Sequence, residues 1–335
     1  MKRCTEAYSS TMAETSSPLS NKTRVSIVGS GLIGRSWAML FASAGFEVCM
    51  FDVDKSQLEQ AKTAVLGQLK DLESQGLLRG ALSVQQQYDS IVTTSSLADC
   101  VKGAVHVQEC VPETVDMKRK VFTQLDSLAD DQVILCSSSS AIVPSKFTEH
   151  LKHRTKCLVA HPINPPFYCR LVELVPAPWT DLEAVQTTRD LMTSIGQAPI
   201  TLKKEITGFI QPRIQHAILA ECCRLVQDEV ISVADVETAV IEGLAPRYAF
   251  MGPFETCHLN ANGLKDYFDR FGQTIYDVQK SFNVPHPMQG AKAEEAEREV
   301  TQWVPLEALP QRRQWRDRRL AALAKLKNEL DNSSK

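Results

Sequence analysis

The sequence predicts an α/β fold, in which a Rossmann-type, doubly wound sheet domain is followed by an all-α C-terminal domain. Three observations support this prediction. A strand, a glycine-rich turn, a helix and a second strand follow one another within residues 24–54. Four short apolar runs then alternate with helical segments up to residue 176, which is typical of a parallel sheet covered on both faces. From residue 207 onwards the apolar spacing is helical.

The length and composition of the chain fit two domains. The chain has 335 residues, of which 43% are apolar, and a domain usually contains about 100–200 residues. We expect residues 1–22 to be a disordered extension, because they are rich in Ser and Thr and lack the apolar core of a secretory signal. The sheet domain is then predicted over 23–206 and the helical domain over 207–335. No apolar run approaches the roughly 20 residues that cross a bilayer, which argues against a transmembrane protein.

Charge and cysteine usage restrict the function further. The chain carries 37 basic and 40 acidic residues, and this balance argues against a surface devoted to nucleic acid. Residues 311–335 depart from it, with eight Lys and Arg against three acidic residues, but leucines at helical spacing predict that this helix packs onto its domain. The ten cysteines include no C-x-x-C and no zinc-ligand spacing, so we predict reduced thiols, no metal site and a cytoplasmic location.

A G-x-G-x-x-G motif lies between the first predicted strand and the first predicted helix. Gly29 permits a tight turn, Gly31 lets the backbone approach a pyrophosphate, and Gly34 lets the helix pack against the strand. The phosphates would meet the N-terminus of the helix, at the backbone of Leu32 and Ile33. The motif therefore predicts a dinucleotide-binding domain.

An acidic residue at the end of the second predicted strand completes this motif. Asp52 would accept hydrogen bonds from the adenosine ribose hydroxyls. A carboxylate at this position repels a 2′-phosphate, so the sequence predicts NAD rather than NADP as the cofactor. Asp54 is the competing candidate, although it lies beyond the predicted end of the strand.

His161 and Glu173 are candidates for an acid–base pair. His161 follows an apolar run, at the carboxyl end of a predicted strand, where ligands bind in open α/β sheets. Glu173 is flanked by apolar residues on both sides, and a carboxylate there needs a partner. A neutral imidazole can take the proton of a substrate hydroxyl while the carboxylate stabilises the imidazolium. A strand-end histidine and a buried structural glutamate without catalytic roles explain the two residues equally well.

The chain resembles the L-3-hydroxyacyl-CoA dehydrogenase family from about residue 24 to its end. The resemblance rests on VGSGLIGRSWAMLFASAGF, HVQECVPET, ILCSSSSAIVPSK and HPINPPFYCRLVELVP. It implies that His161 is the catalytic base and that Glu173 is its carboxylate partner. It also implies that Ser140, or in its place Ser139, holds the reacting oxygen.

The same resemblance assigns two residues near the cofactor and reveals one departure. Glu113 and Lys118 match family positions beside the bound NAD, whereas the residues alone favour a solvated helix start. The family pattern G-F-x-x-N-R begins here at Gly208, but Pro212 occupies the position of its Asn. If that Asn polarises the substrate oxygen, losing such a donor costs on the order of 10²–10³ in rate. We expect the helix to begin at about residue 211, since proline is tolerated only near a first turn.

The substrate and the partners are also implied by the resemblance. The segments EGLAPRYAFMGPFETCHLNA and QRRQWRD resemble family members that oxidise L-gulonate to 3-dehydro-L-gulonate. Arg247 is a candidate for binding the substrate carboxylate, with a surface ion pair as the alternative. The family forms dimers, so a homodimer is expected, with the helical domain closing over the substrate and forming the interface. Two alternatives stay open: a 3-hydroxyacyl-CoA dehydrogenase, and a structural or NAD-binding protein with weak or lost activity.

Overall fold

The structure is a computed structural model that describes residues 23–282 and 290–333. The predicted N-terminal extension, residues 1–22, lies outside these ranges. The chain divides into two units, one that ends at Phe209 and one that begins at Ile210. The first unit is an α/β domain and the second is helical in its described ranges, which confirms the predicted fold class.

One eight-stranded sheet forms the centre of the first unit. Its strands are β1 (Arg24–Val28), β2 (Glu47–Phe51), β3 (Ile91–Thr94), β4 (Ala104–Glu109), β5 (Ile134–Ser137), β6 (Cys157–Pro162), β7 (Leu171–Pro176) and β8 (Ala198–Thr201). They are arranged in the order β3-β2-β1-β4-β5-β6-β7-β8. The chain thus starts in the middle of the sheet, and β1 and β4 flank the point at which the strand order reverses. Ligands bind at such a point in open α/β sheets.

The expectation of a fully parallel sheet is wrong at one position. Strands β1 to β6 pair in parallel, but β7 runs antiparallel to β6, and β8 is parallel to β7. The reason lies in the connection between β6 and β7, which spans only residues 163–170. A parallel crossover needs a dozen or more residues, whereas an antiparallel pair needs only a short loop.

Helices cover both faces of the sheet. They are α1 (Leu32–Ser43), α2 (Lys55–Ser74), α3 (Val84–Asp89), α4 (Leu97–Val101), α5 (Val115–Leu128), α6 (Ser145–Thr148) and α7 (Leu182–Ser194), with a 3₁₀ turn at Arg154–Lys156. Successive residues of β1 point to opposite faces, so Ile27 packs in a buried cluster with Trp37 of α1, and Val28 packs in a second cluster with Phe122 of α5. The predicted covering of both faces is confirmed.

The second unit consists of helices in its described residues. They are α8 (Gln211–Gln227), α9 (Val233–Thr238), a π-helical segment (Ala239–Leu244), α10 (Ala245–Tyr248), α11 (Pro253–Leu259), α12 (Leu264–Lys280), α13 (Ala291–Trp303), a 3₁₀ turn (Leu306–Ala308) and α14 (Leu309–Ser333). Ser232 caps α9, because its hydroxyl oxygen accepts a hydrogen bond from the N–H of Asp235. Within the described ranges, no helix combines the length and the apolar composition that crossing a membrane requires.

Candidate active site

The turn between β1 and α1 admits only glycine at two positions. Gly29 has a φ of 108°, and a Cβ on it would lie 2.8 Å from the carbonyl oxygen of Cys110. A Cβ on Gly34 would lie 1.9 Å from the carbonyl oxygen of Gly29. These approaches leave no room for a side chain, so the two glycines allow the strand, the turn and the helix to pack closely.

Gly31, the central glycine of the motif, lies beside open space. A Cβ on it would meet no atom of the described chain within 4 Å. Gly31 is also the N-cap of α1, and no side chain in the described part of the chain caps this helix. The first N–H groups of α1, beginning with those of Leu32 and Ile33, can therefore hydrogen-bond an anion. This arrangement fits the pyrophosphate of a dinucleotide.

The carboxylate of Asp52 is fixed at the carboxyl end of β2. Its Oδ2 accepts hydrogen bonds from the backbone N–H and the hydroxyl of Ser30, at 2.9 and 2.7 Å. The competing residue, Asp54, is instead the N-cap of α2, and its Oδ1 accepts from the N–H of Ser56 at 2.8 Å. The hydrogen bonds from Ser56 hold the pKa of Asp54 below its ordinary value. The geometry therefore favours Asp52 for the ribose contact, which stays a prediction.

His161 and Glu173 lie directly opposite each other in the antiparallel pair of β6 and β7. Nδ1 of His161 is 2.9 Å from Oε2 of Glu173, and the side chains are 8% and 0% exposed. A carboxylate only accepts hydrogen bonds, so Nδ1 carries the proton in this contact. The neutral ring then presents Nε2 as an acceptor, as a general base requires.

Phe209 packs beside His161 and was missed by the sequence analysis. The centroids of the two rings are 5.7 Å apart, and the rings are inclined by 55°. Phe209 is fully buried and has a φ of 45°, in the left-handed region that non-glycine residues rarely adopt. Such a conformation persists only where the surroundings fix it. The ring therefore restrains the orientation of His161, and the G-F of the family pattern was its only signal in the sequence.

Glu113 organises the loop that follows β5. Its Oε1 accepts hydrogen bonds from the hydroxyl of Ser139 at 2.6 Å, from the N–H of Ser140 at 2.9 Å and from the N–H of Ala141 at 3.2 Å. Burial raises the pKa of Glu113, but the bond from Ser139, the charge of Lys118 and the two N–H groups outweigh burial and hold the pKa below its ordinary value.

The two candidate serines therefore differ in their surroundings. The hydroxyl of Ser139 is fully buried against Glu113, whereas the side chain of Ser140 is exposed. Exposure leaves Ser140 the more accessible of the two to a substrate. Its role in holding the reacting oxygen stays a prediction.

Lys118 is a buried cation between two carboxylates. Its Nζ lies 3.1 Å from Oε2 of Glu109 and 3.3 Å from Oε2 of Glu113, and its side chain is 1% exposed. Its predicted contact with NAD stays a prediction, since the structure shows its ammonium engaged with protein groups.

Glu109, the last residue of β4, was missed by the sequence analysis. It is completely buried and also accepts from the hydroxyl of Ser137, at 2.5 Å, and from the N–H of Val111, at 2.6 Å. Burial raises the pKa of Glu109, and the charge of Lys118 and the hydrogen bonds oppose that rise.

A buried amide supports the strand that carries His161. Nε2 of Gln108 donates to the hydroxyl of Ser138 at 2.7 Å and to the carbonyl oxygen of Ala160 at 3.1 Å. Ala160 is the residue before His161, so Gln108 ties the position of the histidine to β4 and to the loop after β5. This residue was also missed, because an isolated Gln in an apolar run carries no recognisable signal.

The second unit contains two of the residues considered above. Pro212 is buried in the first turn of α8, which begins at Gln211 as predicted. A proline is tolerated there because the first N–H groups of a helix have no partner within the helix. Arg247 lies in α10 and donates from Nη2 to the carbonyl oxygen of Gly243 at 2.9 Å. Its contact with a substrate carboxylate stays a prediction.

Comparison with known families matches both units. The family described as "3-hydroxyacyl-CoA dehydrogenase, NAD binding domain" matches residues 24–206. The family described as "3-hydroxyacyl-CoA dehydrogenase, C-terminal domain" matches residues 208–295. The two matches meet close to the division between the units.

Individual relatives share most of the chain. Lambda-crystallin of Oryctolagus cuniculus is 47% identical over 308 residues, which cover 91% of this chain and 97% of the relative. An L-carnitine dehydrogenase of Pseudomonas sp is 31% identical over 250 residues, covering 74% of this chain and 76% of the relative. Among solved structures, 5-formyl-3-hydroxy-2-methylpyridine 4-carboxylic acid 5-dehydrogenase, an NAD⁺-dependent dismutase, gives a TM-score of 0.72 at 25% identity and covers 92% of this chain and 98% of that one.

Proposed function

The chain belongs to the 3-hydroxyacyl-CoA dehydrogenase family, and we propose that within it this protein oxidises L-gulonate to 3-dehydro-L-gulonate. The family assignment makes the protein an NAD-dependent dehydrogenase that acts on a hydroxyl group. The observation that carries the proposed chemistry is the buried contact of 2.9 Å between Nδ1 of His161 and Oε2 of Glu173. The chemistry that NAD supplies when bound is the acceptance of a hydride at its nicotinamide ring.

The proposed mechanism assigns the proton to His161. Because Nδ1 donates to Glu173, Nε2 takes the proton from the C3 hydroxyl of the substrate. Glu173 stabilises the imidazolium that forms, and its complete burial strengthens this interaction. Phe209 restrains the ring, and Ser140 supplies a hydroxyl for the reacting oxygen. The open space beside Gly31, the uncapped start of α1 and the fixed carboxylate of Asp52 fit the dinucleotide.

The choice of L-gulonate rests on similarity rather than on a geometric feature. The long segments at residues 242–261 and 311–317 resemble family members that act on this sugar acid. The 47% identity to a lambda-crystallin over 91% of the chain supports the same subgroup. The product is a β-keto acid, because the C3 hydroxyl group that is oxidised is carried by the β-carbon of the acid.

A second candidate function follows from Pro212. The family pattern places an amide side chain at this position, and proline has neither that amide nor a backbone N–H. An NAD-binding protein with weak or lost activity, of the lens-structural kind, is therefore the alternative. A 3-hydroxyacyl-CoA dehydrogenase activity is the third possibility within the same family.

Steady-state NADH formation from L-gulonate separates these functions. We expect turnover in the wild type, loss of turnover in His161→Ala with NAD binding retained, and a higher kcat in Pro212→Asn. His150→Ala is the matched control, because His150 lies at the exposed surface of the same unit. Oxidation of 3-hydroxybutyryl-CoA without oxidation of L-gulonate would instead assign the acyl-CoA reaction. NAD binding without turnover of either substrate, restored by Pro212→Asn, would assign the structural function.

We also propose that the protein is a homodimer that forms through α12. Three large apolar residues of α12, Phe268, Phe271 and Val278, are between 42% and 51% exposed and share one face of the helix with Ile275; Phe282, 49% exposed, follows two residues after the helix ends. The spacing of three, four and three residues within the helix is that of a coiled-coil seam, which is stable only against a partner helix. Sedimentation velocity across a range of concentrations tests the proposal, and a monomer at all concentrations would overturn it.

A further inference from the structure

A charged triad lies at the carboxyl ends of β4 and β5. It consists of Glu109, Lys118 and Glu113, with the hydroxyl of Ser137 as a further donor to Glu109. Glu109 ends β4, and Ser137 ends β5. In the order of the sheet these two strands stand between β1, which precedes the glycine motif, and β6, which carries His161. The triad is therefore located between the phosphate-binding turn and the proposed base.

The position of the triad in the sheet indicates that it lies near the nicotinamide half of a bound dinucleotide. The adenosine half belongs to the side of β1 and β2, where Asp52 directly follows β2. The nicotinamide half must then extend over the ends of β4 and β5 to reach a substrate held at His161. This step rests on the proposed function, because it takes His161 as the base.

With both of its carboxylates ionised, the triad carries one net negative charge. It contains two carboxylates and one ammonium, and Glu109 and Lys118 are 0% and 1% exposed. The groups that contact Glu109 are donors: the ammonium of Lys118, the N–H of Val111 and the hydroxyl of Ser137, which itself accepts from the N–H of Ser139. The ammonium of Lys118 and the other donors stabilise the ionised form of Glu109 and oppose the rise in its pKa that burial causes.

We propose that the triad makes the site selective for the oxidised cofactor. The nicotinamide ring is positively charged in NAD⁺ and neutral in NADH. A net negative charge held in a water-excluded region stabilises the charged ring, and burial protects this interaction from screening by salt. The lysine sets the magnitude of the effect, because its positive charge cancels one of the two negative charges. Glu109 and Lys118 thus act through their charge and their hold on Glu113, as positioning residues.

Direct binding of NAD⁺ and NADH, measured by calorimetry without substrate, tests the proposal. Glu109→Gln removes one charge from the triad and keeps the side chain's shape. We expect the ratio of the dissociation constants, NAD⁺ over NADH, to rise on the order of fivefold, as one unit charge acting through partly solvated protein predicts. The change comes from weaker NAD⁺ binding, while NADH binding stays nearly constant.

Three further variants separate charge from structural damage. The double variant Glu109→Gln with Lys118→Met restores one net negative charge, so its ratio should return to that of the wild type. Glu113→Gln removes the charge at a residue that is 39% exposed and should raise the ratio as Glu109→Gln does. Glu73→Gln, an exposed carboxylate near the end of α2, is the control for the loss of one surface charge.

Two outcomes would overturn the proposal. One is an unchanged ratio in both single variants, and the other is a double variant that shifts as far as Glu109→Gln does. Failure of the proposed function has a different signature, since either the wild type would not oxidise L-gulonate or His161→Ala would oxidise it as fast as the wild type, whatever the cofactor ratios are. A changed ratio together with an active wild type and an inactive His161→Ala supports both.

Discussion

The two units of the protein use charged and apolar side chains in opposite ways. In the first unit, Glu109 and Lys118 are paired and almost completely buried, and large apolar residues fill two clusters on either side of the sheet. In the described part of the second unit, ion pairs such as Lys265 with Asp269 lie along exposed helix surfaces. Large apolar residues there, Phe254 and Leu259 among them, face outwards.

This difference separates the roles of the units. Burying a charge is costly unless it is paired, so a protein retains such groups where chemistry or specificity needs them. Exposing large apolar side chains is unfavourable unless a partner covers them. The first unit therefore contains the groups that we propose bind the cofactor and move a proton, and the exposed apolar residues of the second unit fit the proposed association surface.

The largest expected effect tests whether the chemistry resides in the first unit. Glu173→Gln should lower kcat for L-gulonate by on the order of 10²–10⁴, because glutamine supplies no charge to stabilise the imidazolium of His161. Steady-state NADH formation measures the effect. Glu183→Gln, an exposed carboxylate at the start of α7, should keep the wild-type kcat. A Glu173→Gln variant as fast as the wild type would remove the carboxylate from the mechanism.

The next effect compares a buried and an exposed ion pair directly. Lys118→Met should lower the free energy of unfolding by about 3 kcal/mol at neutral pH, because it leaves the buried Glu109 without a cation. Lys265→Met should leave that free energy nearly unchanged, since Lys265 is 88% exposed and water solvates both partners of its pair. Chemical denaturation followed by circular dichroism measures both. Equal losses in the two variants would show that burial does not distinguish the pairs.

A smaller effect is expected at the surface of α12. Phe271→Glu places a charge within the apolar face that Phe268, Phe271, Ile275 and Val278 form on α12, and should weaken self-association by at least about tenfold. Gln273→Glu adds the same charge on the opposite side of the helix and should leave association unchanged. Sedimentation velocity distinguishes them. If both variants associate as the wild type does, α12 is not the interface.

The smallest effect is a change in pH dependence. The pKa of Glu113 is lowered in the folded protein, so its ionised form stabilises the fold above the ordinary value of 4.5. That contribution is lost as the pH falls through the lowered pKa. Glu113→Gln should therefore lose less thermal stability than the wild type as the pH falls from above 4.5 through the lowered pKa. Melting temperatures measured at several pH values check this prediction. Glu73→Gln is the control and should follow the wild type. If the melting temperature of Glu113→Gln falls with pH as steeply as that of the wild type, the prediction is wrong.

The parts of the fold that could be predicted have strong local signals. The glycine motif with its flanking strands predicts β1, α1 and β2, and the apolar runs predict β4 to β7. The two edge strands, β3 and β8, were not predicted, because each has only four residues and mixes polar with apolar positions. The antiparallel direction of β7 follows from the length of one loop, which the alternation of elements does not reveal.

The candidate site shows the same limit. His161 and Glu173 could be proposed as a pair because an isolated carboxylate in an apolar strand demands a partner. Glu109 carries the same type of signal at the end of β4, yet its partner, Lys118, lies nine residues away on a helix, and no local spacing rule connects them. The network around Glu113 joins residues 26 to 28 positions apart, so it depends on the sheet bringing two loops together.

The antiparallel pairing of β6 and β7 has a consequence for the insertions and deletions that the chain tolerates. His161 and Glu173 meet because directly opposed residues project on the same face of a sheet. Extra residues in the loop over 163–170 preserve this alignment. A single residue inserted within β7, before Glu173, would turn the carboxylate to the other face and separate it from the imidazole. We therefore expect insertions in the loop over 163–170 to keep His161 and Glu173 paired. An insertion of one residue in β7 before Glu173 should separate them.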